Sequence, residues 1–112
     1  MIEKTVLDYL LVALYPVACY MEMPEEPSGT FVIIEKTGSS VSNRIAKANF
    51  AIQSYAPSLA EAATLNESVK AAMEAMAERN DISRVELNSD YNYTDTELKA
   101  YRYQAVFVIT YY

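Results

Sequence analysis

SLAEAATLNESVKAAMEAMAERN, residues 58–80, is the stretch on which the fold turns. Apolar residues recur at Ala62, Leu65, Val69, Ala72 and Met76 in alternating steps of three and four, with Leu59, Met73 and Ala77 alongside. That spacing puts them on one stripe of a helix. Ser58 and Glu61 form an S-x-x-E capping box, in which hydroxyl and carboxylate answer each other's first-turn N–H groups. Pro57 discourages helix further upstream. At the far end Arg79 suits the negative pole of the helix dipole, and Asn80 tolerates the left-handed conformation that stops helices. Such a helix is roughly 30 Å long at about 1.5 Å per residue, so it is expected to lie across a sheet as its main cover.

Working outward, residues 2–14 read as a first helix ended by Pro16. Ile2, Val6, Tyr9, Leu10 and Ala13 make one stripe, and Leu7, Leu11 and Leu14 make a second beside it. That apolar arc is wider than one sheet face needs, so the outer stripe is a candidate subunit contact. Residues 17–23 alternate, with Val17, Cys19, Met21 and Met23 facing one way, as a half-buried strand does. Glu26, Pro27, Ser28 and Gly29 have the composition of a type I turn. Residues 30–37 form a second strand, and Gly38, Ser39, Ser40, Val41, Ser42 and Asn43 form a small-residue loop expected to be mobile. A third strand covers residues 44–55, with Ala46, Ala48, Phe50 and Ile52 inward.

After the long helix, residues 82–88 place Val85 and Leu87 inward, and residues 99–112 form the longest strand. One face of that strand carries Tyr101, Tyr103, Ala105, Phe107, Ile109 and Tyr111. On the other face Arg102 and Gln104 give way to Val106, Val108, Thr110 and Tyr112, too apolar for a solvated sheet face. Something is expected to cover it. The order helix, three strands, helix, two strands describes one α+β domain over residues 1–112, an antiparallel sheet covered by the long central helix and the N-terminal helix.

The chain has 112 residues and one cysteine, a net charge of −6, no histidine and ten tyrosines. The acidic balance argues against a protein that grips nucleic-acid phosphates, though not against one that DNA slides past. Missing histidine removes the usual general base and the commonest zinc ligand. No signal peptide or bilayer-length apolar run opens the chain, so cytoplasmic assembly is expected and no membrane partner. Tyrosine suits both strands and half-buried subunit contacts. Cys19 reads as a small core residue, since no histidine exists to activate it.

No catalytic set, cofactor motif or metal-ligand set emerges, and an enzyme is not expected. Asp90, Asn92, Thr94, Asp95 and Glu97 resemble the start of a calcium loop, but its sixth position is Asp95 where glycine is needed and its twelfth is Tyr101. A solvated hairpin loop is the better account. Gly38-Ser39-Ser40 lacks the Gly-Lys-Ser/Thr helix start of a phosphate loop.

Four stretches, Glu35-Lys-Thr-Gly-Ser39, Ala51-Ile-Gln-Ser-Tyr-Ala56, Glu86-Leu-Asn-Ser-Asp-Tyr91 and Arg102-Tyr-Gln-Ala-Val-Phe107, resemble the tail terminator (tail-completion) proteins of long-tailed phages and prophages. The resemblance covers most of the chain in the same order. It implies a structural virion protein at the head-proximal end of the tail, assembled in the host cytoplasm as a hexameric ring. Such a ring caps the tail tube, stops its polymerisation and docks the head. Its implied partners are other copies of the chain, the tail tube protein and a head-completion or connector protein, with DNA passing through unbound. The residue-level expectations rest on the pattern alone: Leu7, Leu11, Leu14, Val106, Val108 and Tyr112 as the oligomer interface, and Gly38, Ser39, Ser40, Ser42, Asn43, Asp90, Asn92, Asp95 and Glu97 as loops that order on assembly. A neighbouring head–tail connector component and a small-ligand-binding regulatory domain are the alternatives. The nearest polar residues for the latter are Tyr91, Tyr93, Arg102 and Gln104.

Overall fold

The computed structural model describes residues 1–27 and 29–112. In chain order it contains α1 (Ile2–Ala13), β1 (Ala18–Tyr20), β2 (Phe31–Ser42), β3 (Ile45–Tyr55), α2 (Leu59–Met76), β4 (Ile82–Asn92) and β5 (Arg102–Tyr111). The α+β order is the expected one. The strands form one sheet in the order β1-β2-β3-β5-β4. Its pairs are antiparallel except β1 with β2, which run parallel, so the sheet is mixed and not purely antiparallel. The turn expected at Glu26 to Gly29 includes Ser28, which lies outside the described residues.

Both helices lie on the same face. Ile2, Val6 and Leu10 of α1 and Leu65, Val69, Met73 and Met76 of α2 share one core with Ala48, Phe50 and Ile52 of β3 and Ala105, Phe107 and Ile109 of β5. Period-2 strands and 3.6-period helices meet here as their patterns require. One half of the capping box forms as expected, with Glu61 N–H donating to Ser58 Oγ at 3.2 Å; the Glu61 carboxylate accepts at 2.9 Å from the Ser58 hydroxyl in place of its backbone N–H. Tyr9 Oη donates to the Ala72 carbonyl at 2.6 Å and ties the two helices together.

Several boundaries differ from expectation for identifiable reasons. α2 stops at Met76, and Asn80 is not left-handed. The N–H groups of Ala77, Glu78 and Arg79 instead bond three residues back, a tightening that ends the helix without a left-handed residue. β1 is only three residues long, because it pairs with nothing but Phe31, Val32 and Ile33 of β2. Of the four residues expected inward there, only Cys19 is buried, Val17 is half-buried, and Met21 and Met23 are exposed.

The segment expected to be a mobile loop is strand. Gly38, Ser39, Ser40 and Ser42 belong to β2 and pair with Asn49, Ala48, Lys47 and Ile45 of β3. Gly38 follows a bulge, and the hairpin reverses at Asn43 and Arg44, whose φ angles of 51° and 65° match a type I′ turn. Asp90 and Asn92 likewise belong to β4, which runs four residues further than expected. β5 in turn starts at Arg102 and not at Lys99, whose φ is 51°.

Cys19 is buried, and burial pushes its thiol up from 9.0 to about 11. The raised value means the folded state favours the protonated thiol. Its contribution is full below pH 9 and disappears as pH rises toward 11. The wild-type chain should therefore lose roughly 2–3 kcal/mol more stability across that window than Cys19→Ala. Urea unfolding of both proteins at several pH values checks this, and parallel curves would refute it.

Candidate interaction surfaces

The face of the sheet away from the helices carries alternate residues of every strand. Register places Phe31 beside Tyr55 and Tyr55 beside Arg102. It continues with Ile33, Gln53, Gln104 and Tyr91 in the next row. Cross-strand neighbours share a face, so these rows are contact rows.

At one end of this open face an aromatic chain crosses the whole sheet. Tyr20 meets Phe31 edge-on at 6.2 Å, and Phe31 stacks on Tyr55 at 4.7 Å with the rings 9° from parallel. Arg102 Nη1 donates to Tyr55 Oη at 2.7 Å, its Nε donates to the Tyr93 carbonyl at 2.6 Å, and its guanidinium lies 4.4 Å from the Tyr93 ring centroid. Tyr93 meets Tyr91 edge-on at 5.9 Å. Tyr91 Oη bonds with Gln104 Nε2, and Gln53 Nε2 donates to Gln104 Oε1 at 2.7 Å. Tyr91, Tyr93, Arg102 and Gln104 are therefore one cluster. Arg102 and Gln104 spend hydrogen bonds on Tyr55, the Tyr93 carbonyl and Tyr91, while Gln104 is buried and the side chains of Tyr91 and Tyr93 are exposed. Beside the cluster a shallow cavity of about 310 Å³ is lined by Met23, Phe31, Tyr55, Pro57, Lys99 and Tyr101.

Toward the other end that face is mixed, with two valines of β5 set among Asn49, Glu86 and Ser89. Val106 and Val108 stand here beside Ala51 and Asn49, and both valines are half-buried with no helix above them. Among the described residues no segment supplies the cover expected for this end of β5. On the opposite side of the molecule, the outer surface of α1 presents Leu11, 39% exposed, and Val12, 80% exposed. Leu7 packs half-buried against the core. Leu14 is only 8% exposed and belongs to that core, so it is not available to a partner. Leu14 follows Val6 and Leu10 in steps of four and its N–H still donates to the Leu10 carbonyl, so the helical period itself carries it onto the buried stripe. Tyr112 is exposed, with its N–H on the Asp81 carbonyl.

Of the residues expected in loops, Asp95 and Glu97 do lie in the β4–β5 connection. Asp95 Oδ1 accepts from the N–H groups of Glu97 and Leu98, and Asp95 pairs with Ala100 through a two-residue bridge. Asn92 Oδ1 accepts from Thr94 N–H. Asp90 has a different job. Its Oδ2 accepts from Asn66 Nδ2 at 2.9 Å and from Lys70 Nζ at 3.0 Å, which pins α2 to β4. Those hydrogen bonds, from Asp90 first and then Glu67, hold the Lys70 ammonium above its ordinary value. Asn66 is buried, and its Oδ1 has no partner.

Asp90→Ala strands the whole Asn66 amide in the core. The expected loss is about 1–3 kcal/mol, since a buried donor without its acceptor costs its desolvation. Lys70→Ala should cost under about 1 kcal/mol, because that ion pair is partly solvated. Equal losses from the two variants in urea unfolding would contradict this assignment.

Val12 and the Tyr55–Arg102 pair were not among the residues expected at a contact. Val12 had a visible signal, since it adjoins the second stripe at Leu11. Tyr55 and Arg102 are 47 residues apart in the chain and meet only through strand order. No protein-family model and no curated protein matches this chain.

Proposed function

We propose that the chain is a phage structural morphogenesis protein that caps the tail tube, stops its polymerisation and forms the head-docking surface as a hexameric ring. The observation that carries this reading is surplus apolar surface on two opposite sides. Leu11 and Val12 project from the outside of α1, while Val106 and Val108 lie on the sheet face that no helix covers. Two unlike patches pointing in different directions suit a head-to-tail contact, which closes into a ring by rotation. The four sequence stretches resembling tail terminators supply the identity of the ring, and the acidic balance suits a channel that passes DNA without holding it.

Electron microscopy of tails made with and without the protein tests the proposal. Overlong tails that fail to join heads are expected in its absence. Tails of normal length lying beside filled heads would instead identify a head–tail connector component. A small-ligand-binding role would use the cavity between Lys99 and Tyr55. A melting shift with a metabolite panel, abolished by Lys99→Ala, would favour it over assembly.

A further inference from the structure

The sheet ends in two unlike edges. β4 is a long edge strand of 11 residues with no neighbour on its outer side among the described residues. On the opposite edge β1 pairs with β2 only at Phe31, Val32 and Ile33, so among the described residues no strand lies beyond residues 34–42 of β2. Unpaired strand edges are templates for another strand.

β4 also borders a groove. Between it and α2 lies an open channel of about 430 Å³, with Val85, Leu87 and Phe107 along its floor and Glu67, Lys70 and Glu74 along the helix rim. Leu87 was expected inward and does face the helix side, yet it is 47% exposed because α2 lies inboard of the edge. The β2 arm offers the complement. Val41 shares the helix-side face with Ala46 and Ala48 and is 74% exposed. From Lys36 to Ala60 the chain has no acidic residue, and Arg44 and Lys47 near the arm's tip make no ion pair among the described residues.

Strand direction fits as well. β2 is antiparallel to β3, β3 to β5 and β5 to β4, so β2 and β4 run in opposite directions. A second copy turned about an axis inclined to the strands therefore brings its β2 antiparallel to this β4, with helices on the same side. The inclination supplies the offset between Leu87 and Ile82, the residue level with Val41 through Ala46 and Tyr111.

We propose that residues 34–42 of one copy add to the β4 edge of the next copy, with Val41 seated beside Leu87 in the groove under α2. This contact rests on the assembly reading and names its interface. It is heterologous, so repetition propagates one sheet from copy to copy around a ring. Main-chain hydrogen bonds supply affinity, and the groove reads the register through Val41.

Val41→Cys and Leu87→Cys, each in the full chain, test it by oxidation. Both sites are exposed, and Cys19 is buried in the wild-type control. The expected result is a mixed disulfide when the two variants are combined and none when either is oxidised alone. The Val41→Cys/Leu87→Cys double variant should give a ladder of linked copies ending at the ring size. Disulfides need Cα atoms about 4.4–6.8 Å apart, so Val85→Cys is run as the neighbouring register. No mixed disulfide at either position overturns the contact. Overlong tails in the absence of the protein, together with no cross-link, would remove this contact and leave the terminator reading standing.

Discussion

Leu11→Asp and Val108→Asp should each give a folded monomer that no longer assembles. Both side chains reach the surface of a single copy, Leu11 outside α1 and Val108 on the uncovered sheet face. A carboxylate there is solvated in the free protein, so stability should change by about 1 kcal/mol or less. In an assembled ring the same carboxylate would be desolvated without a partner. That costs several kcal/mol, and each ~1.4 kcal/mol is tenfold in affinity, so association should weaken at least about a hundredfold. Leu14→Asp is the contrasting variant: Leu14 is in the core, and its replacement should unfold the chain. Light scattering and thermal melts on the three proteins decide the matter. If Leu11→Asp and Val108→Asp unfold as Leu14→Asp does, the outer patches belong to the core and the surplus-surface argument falls.

Phe50→Ala should be the most destabilising single truncation, by about 3–5 kcal/mol. Phe50 is fully buried on β3, directly across from Phe107 of β5, where both helices converge on the sheet. Small domains have only about 5–15 kcal/mol in hand, so the variant should sit near its unfolding threshold at physiological temperature. Chemical denaturation gives the value directly. A loss of about 1 kcal/mol or less would mean that the helices can close over the vacancy, and that the core is far less tightly packed than the structure has it. Phe50→Leu, which keeps most of the volume, should recover more than half of the loss.

What the sequence determined by itself was whatever local periodicity and local chemistry decide. The stripe from Ala62 to Met76, the box at Ser58 and Glu61, and the inward faces of β3 and β5 are set by residues a few positions apart, and they appear where the letters place them. The second stripe on α1 was legible for the same reason, except that Leu14 stands four residues after Leu10 as well as three after Leu11, and its place in the core follows the first of these spacings. Small polar residues from Gly38 to Ser42 read as a loop because they have nothing of their own to bury. Their strand state comes from pairing with β3, which begins only beyond the turn at Asn43 and Arg44.

Only the tertiary structure decided which strands became neighbours. Strand order is set by which apolar faces can be buried together under two helices, and no window of sequence contains that competition. It places β5 between β3 and β4, brings Tyr55 to Arg102 and Asn66 to Asp90, and leaves one face of the sheet without a helix and two edges without a strand among the described residues. The surfaces left for self-assembly are those remainders, fixed by what the fold could not enclose.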